Sequence, residues 1–149
     1  MVFLPVTLNI TDKDILIVGG GKVAFHKIKL LQVFTDRIHV VAKEICDEIL
    51  SLGLPTTYKA YEPGILDDYF LVYACTNIRE LNKQIYEDAH HKGILVNVVD
   101  NPPLCDFVSP AIYKKENMTV AVGSNAEDVY ASIALRNKIK DFLENNDTK

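Results

Sequence analysis

The stretch "ILIVGGGKVAFHK", residues 15–27, decides how the chain reads. Four apolar residues run into three glycines, and an amphipathic segment follows. A nearly continuous apolar run suits a strand covered on both faces. Residues 22–34 suit a helix, with Val23, Ala24, Lys27, Ile28, Leu31 and Phe34 on or beside one stripe. Gly19-x-Gly21-x-x-Ala24 then fits the G-x-G-x-x-G/A turn between a strand and a helix. Gly19 permits the tight turn. Gly21 leaves the backbone bare for a diphosphate, and Ala24 lets the helix pack closely on the strand. The free N–H groups and the dipole at the helix start face the phosphates. Gly20 adds freedom that the pattern does not require.

Outward from this turn, β-rich runs alternate with helical patterns. Strands are expected at 37–42, 56–61, 70–76, 94–100 and 118–124, with the polar 56–61 near an edge. A short helix at 44–53 closes at Gly53. A longer one follows 70–76, with Asn77 and Glu80 as a capping box, Leu81, Ile85 and Ala89 as its stripe, and Gly93 as its stop. Residues 101–117 read as irregular, while "FVSPAIYKKENMTVAVG", residues 107–123, also reads as a hairpin-like segment that offers apolar surface beyond the nucleotide fold. Ser124 and Glu127 cap a last helix running to about residue 143. The alternation implies a parallel α/β sheet, Rossmann-like, with helices on both faces. The N-terminal "FLPVTLNI" has no assigned place.

The 149 residues suit one compact unit, 48% hydrophobic and 24% charged. A net charge of -4 argues against nucleic-acid or membrane-surface binding, so an anionic ligand needs a local basic patch. No apolar run reaches membrane-spanning length, and the N-terminus does not read as a signal peptide. Cys46, Cys75 and Cys105 are odd in number and far apart, which points to a reduced, cytoplasmic setting. No His/Cys/Asp cluster has metal spacing, so no metal is expected.

Ligands of such sheets lie beyond the carboxyl ends of the strands. Thr76 and Asn77 stand there, as do residues 97–101. Asp100 ends an apolar strand, where it either caps the turn before Pro102 or takes a proton beside a bound cofactor. Asp106 is a competing carboxylate that either does the same or bonds only backbone. Cys105 has no partner that would make it a nucleophile. His90 and His91 suit a helix C-terminus. His26 and His39 stand alone. About 20 residues past the glycines, where a carboxylate ordinarily meets a ribose 2′-hydroxyl, stand Lys43 and Glu44. Glu44 favours NAD, Lys43 favours the 2′-phosphate of NADP, and both also suit a solvated helix start.

Several segments together resemble one family, the precorrin-2 dehydrogenase module of siroheme synthases. They are "LPVTLNI", "ILIVGGGKVAFHKIKLL", "VVAKEI", "VYACTNIRELNKQI", "MTVAVGS" and above all "ILVNVVDNPPLCDFVSPA". The resemblance implies oxidation of precorrin-2 to sirohydrochlorin with NAD as hydride acceptor. It implies cofactor contacts from Gly19, Gly20, Gly21, Lys22, Val23, Lys43 and Glu44, and catalysis by Asp100. It also implies a homodimer, with residues 1–112 as the NAD-binding domain and 113–149 as a short strand-helix dimerisation segment. Two departures stand out: Lys43 replaces a usual proline, and "GSNAEDV" replaces a Ser/Thr-Gly-Gly-x-Ser-Pro run. The helical region that continues longer members is not expected here, nor is ferrochelatase activity. The alternatives are an NAD(H)-sensing binding module, which has no need of the 97–107 segment, and an inactive dehydrogenase homologue.

Overall fold

The structure, a computed structural model, describes residues 1–99 and 101–146. Its contacts divide the chain into Pro5–Phe107 on one side and Met1–Leu4 with the residues from Val108 onward on the other. The sequence reading puts that division at residue 112.

The first unit runs β1 (Ile15–Val18), α1 (Lys22–Leu31), β2 (Ile38–Ala42), α2 (Asp47–Leu50), β3 (Thr56–Tyr58), β4 (Leu71–Ala74), α3 (Arg79–Lys92) and β5 (Leu95–Val98). All five strands are parallel, in the order β3-β2-β1-β4-β5. This is the Rossmann-like sheet. β1 is central, and Ile15, Leu16, Ile17 and Val18 are all buried. Alternate residues serve opposite faces. Ile15 and Ile17 join Ala24, Ile28 and Leu31 of α1 and Ile49 of α2. Leu16 and Val18 join Ile85 and Ala89 of α3. Two-sided burial is why these strands are apolar without alternation.

Element ends differ from the sequence reading for local reasons. α2 begins at Asp47, because Cys46, its extended N-cap, is held against the glycine turn by its amide, which donates to the Gly20 carbonyl at 2.8 Å. Asn77 does not cap α3: Ile78 holds the N-cap position and no side chain caps it. Gly93 does end α3, in the left-handed region at φ 69°. His39 is not alone. Its ring nitrogens bond the Tyr69 hydroxyl and, at 2.8 Å, Thr57 Oγ1, and burial lowers its pKa.

The exposed edge of β5 is closed by two side chains and one backbone bond rather than by a further strand. The Val96 amide donates to Asp106 Oδ2 at 2.9 Å, the Asp106 amide donates to the Val96 carbonyl at 2.9 Å, and the Val98 amide meets Cys105 Sγ at 3.2 Å. His90 Nε2 holds the other Asp106 oxygen at 2.9 Å. An open strand edge invites pairing with another chain, and these contacts occupy it.

In the second unit, β6 (Ala111–Lys115) and β7 (Met118–Val122) form an antiparallel pair, and α4 (Val129–Asn146) follows. β7 is thus not a sixth strand of the parallel sheet, and β6 lies where an irregular stretch was expected. Arg136 of α4 donates from Nη1 to the Ile112 carbonyl at 2.6 Å. The helix cap is Asp128, whose Oδ1 accepts the Ala131 amide at 2.8 Å, while Ser124 Oγ accepts the Asp128 amide at 2.9 Å. Of the two added carboxylates in "GSNAEDV", one is therefore a cap.

Asn125 and Ala126 both have positive φ, 52° and 63°, and the Glu127 amide donates back to the Ser124 carbonyl at 2.9 Å. These φ signs belong to a type I′ turn, which suits glycine. Asn125 is supported by its Oδ1, which accepts the Phe3 amide at 3.1 Å. Ala126 has no such support from its methyl group. Ala126→Gly is expected to raise stability by about 1 kcal/mol. The check is a higher urea midpoint at unchanged denaturant slope.

Candidate functional site

The strand order reverses between β1 and β4, the place where sheets of this kind bind ligands. The turn Gly19–Gly21 leaves β1 at this point. Gly19 has φ 127°, and a Cβ there would lie 2.5 Å from the Cys75 carbonyl oxygen at the end of β4. A Cβ on Gly20 would lie 2.0 Å from the Glu44 carbonyl oxygen, beyond β2. Gly20 is thus required, which corrects the sequence reading. A Cβ on Gly21 would meet nothing within 4 Å. Gly21 is the N-cap of α1, and its carbonyl takes the first helical bond, from Phe25 at 3.0 Å. The amides that follow it have no intrahelical acceptor. Ala24 is fully buried, which brings α1 close to β1.

The turn opens on a cleft of about 950 Å³, a size that suits a large organic ligand. Gly19, Gly20, Gly21, Lys22 and Val23 line one side of it. Lys43 and Glu44 line the end beyond β2, and Thr76 and Asn77 the end beyond β4. All nine residues singled out for the cofactor therefore meet in one cavity. A smaller recess of about 390 Å³ adjoins it through Thr76, Asn77 and Val99, with Arg79 and Asn101 in its wall. Asp100 lies outside the described residues, while its sequence neighbours Val99 and Asn101 line these cavities.

The competing groups are committed elsewhere. Asp106 closes the β5 edge. Cys105 Sγ sits 3.2 Å from the Val98 carbonyl oxygen, and burial raises its pKa, so it is held as an inert thiol. Among the described residues no group of three His, Cys, Asp or Glu is placed to hold a metal, and no helix is long and apolar enough to cross a membrane.

Two contributors escaped the sequence reading. Asn82 of α3 is buried, and it locks the β4–α3 loop. Its Oδ1 accepts from the Thr76 amide at 3.2 Å and the Thr76 hydroxyl at 2.6 Å, and its Nδ2 donates to the Thr76 carbonyl at 3.0 Å. A polar residue on the stripe of Ile85 and Ala89 was the available signal. Lys59 and Tyr61, just past β3, also line the cleft. Tyr61 donates its hydroxyl to Asp88 Oδ2 at 3.0 Å, and burial beside that carboxylate raises its pKa.

A bare-amide turn at the switch point of a parallel sheet, opening on a long cleft, defines a dinucleotide-binding module. The chain belongs to the NAD(P)-binding family whose model, described as "Putative NAD(P)-binding", matches residues 6–111. It is 40% identical over 148 residues to a siroheme synthase of Nitrosomonas europaea, covering 96% of this chain and 31% of that protein. It is 37% identical over 147 residues to a siroheme synthase of Zymomonas mobilis, with 96% and 31% covered. The chain thus spans about a third of the length of these curated relatives. Among solved structures, SirC, a precorrin-2 dehydrogenase, superposes with a TM-score of 0.75 at 25% identity, over 97% of this chain and 70% of that one.

The last two glycines of the turn, Gly20 and Gly21, separate folding from binding. Gly20→Ala is expected to cost about 3 kcal/mol or more, because backbone rather than a movable side chain fills the space. Gly21→Ala is expected to leave the melting temperature within about 2 °C and to weaken NADH binding. Thermal melts and NADH fluorescence titration of the two variants check this.

Proposed function

We propose that the chain oxidises precorrin-2 to sirohydrochlorin with NAD as hydride acceptor. The observation that carries this reading is the glycine turn facing open space at the switch point, in a chain that matches siroheme synthases over nearly its whole length. When bound, the nicotinamide supplies the hydride acceptor. The bare amides at the start of α1 hold the diphosphate, and Lys22 and Val23 continue that contact. Thr76, tied down by Asn82, and Asn77 form the wall beyond β4. Asp100 takes the proton that the macrocycle loses as the hydride departs, so two electrons and two hydrogens are accounted for.

Asp100→Asn is expected to keep NADH affinity within about twofold and to lower turnover about a hundredfold or more. NADH absorbance with precorrin-2 supplied is the measurement, and near-normal turnover would remove Asp100 from the role. NADH binding by the unaltered chain without any precorrin-2 oxidation would favour a cofactor-sensing module instead.

The second unit supports a homodimer. Its two-stranded sheet is covered by a single helix, which leaves large apolar side chains in solvent. Val129, Tyr130, Leu135 and Phe142 of α4 and Met118 of β7 are exposed, and Ser132 is the buried residue of α4. Apolar side chains left exposed on both β7 and α4 suit burial against a second copy of the chain. Sedimentation at micromolar concentration is expected to give a dimer, and Tyr130→Glu with Phe142→Glu a monomer.

A further inference from the structure

The end of the cleft beyond β2 carries a charge pattern unlike the rest of the molecule. The chain as a whole has a net charge of -4. The residues lining the cleft include three lysines, Lys22, Lys43 and Lys59, against one carboxylate, Glu44. Two of these lysines come to the same rim by strand pairing. β2 and β3 run parallel with Ala42 opposite Tyr58, and the Lys59 amide donates to the Ala42 carbonyl at 3.0 Å. Each strand is therefore followed at once by a lysine, Lys43 after β2 and Lys59 after β3.

In a sheet of this order, the residue after the second strand meets the adenosine ribose. A carboxylate there accepts from a 2′-hydroxyl and repels a 2′-phosphate. A cation does the reverse. Lys43 makes no ion pair among the described residues, and Lys59 has only the partly exposed Glu62, at 2.8 Å and three residues on. Such an i,i+3 pair in solvent exchanges readily for a doubly charged phosphate.

We infer that Lys43 and Lys59 form a 2′-phosphate subsite, so that the cleft takes NADP(H) as well as NAD(H). The inference rests on the cofactor reading above and adds to it the side chains that would hold a 2′-phosphate, which the NAD(P)-binding description of the family leaves open. Glu44, in the same rim, remains the acceptor for the unphosphorylated ribose. The two cofactors then use different side chains of one turn.

The test needs no turnover. Calorimetric titration of the full chain with 2′,5′-ADP and with 5′-AMP, together with NADPH and NADH fluorescence titrations, gives two affinity ratios. The unaltered chain is expected to bind 2′,5′-ADP several-fold tighter than 5′-AMP, and that preference should shrink as salt rises. Lys43→Ala and Lys59→Ala are each expected to lower the NADPH:NADH affinity ratio about threefold to tenfold. Lys43→Asp should lower it further. Circular dichroism verifies that each variant is folded, and loss of fold in one leaves the other lysine to carry the comparison. NADH binding with no preference for 2′,5′-ADP over 5′-AMP would overturn the subsite and leave the cofactor reading standing. Failure to bind either NADH or NADPH would overturn both.

Discussion

Two carbonyl oxygens leave no space for a side chain in the turn after β1. Cys75 presses on Gly19 from the end of β4, and Glu44 presses on Gly20 from beyond β2. The turn is therefore gripped by both neighbours of the central strand, and the Cys46 amide adds a hydrogen bond to the Gly20 carbonyl. Only Gly21 is open. This grip holds the amide edge of α1 at the mouth of the cleft before any ligand arrives. A site ordered in advance does not spend binding energy on ordering itself. The same hydrogen bond keeps Cys46 extended and delays α2 to Asp47.

The segment after β5 shows how one stretch divides structural from chemical work. Cys105 and Asp106 bond the free edge of β5 through side-chain atoms, and Asn97 donates to the Phe107 carbonyl at 2.8 Å. These contacts hold the segment alongside the strand. They also take the thiol and one carboxylate out of contention as reacting groups. Val99 and Asn101, by contrast, line the cavities. The segment thus serves as edge cover at one end and as cavity wall at the other.

Electrostatics are local in this molecule. An excess of acidic residues over the chain coexists with a lysine-lined cleft, because strand ends bring distant lysines to one rim. In the second unit the acidic run at 127–128 has a different use. Asp128 caps α4, and the preceding turn keeps glycine-like backbone angles at Asn125 and Ala126. The backbone shape that suits paired glycines is retained there, with one of the two replacements supported by a hydrogen bond to Phe3.

Much of this was legible in the residues themselves. The apolar runs at β1, β4 and β5, the stripes of α1 and α3, and the Gly19-x-Gly21-x-x-Ala24 spacing are local patterns, and local patterns specify a parallel sheet and its diphosphate turn. Tertiary structure alone decided that Gly20 is indispensable, that Asn82 rather than Asn77 secures the loop after β4, that Asp106 belongs to a strand edge, and that β7 lies outside the parallel sheet. The physical reason is common to all four. Each depends on which backbone comes to lie beside the residue, and that neighbour is brought there by strand order and chain reversal, which no periodicity in the sequence records.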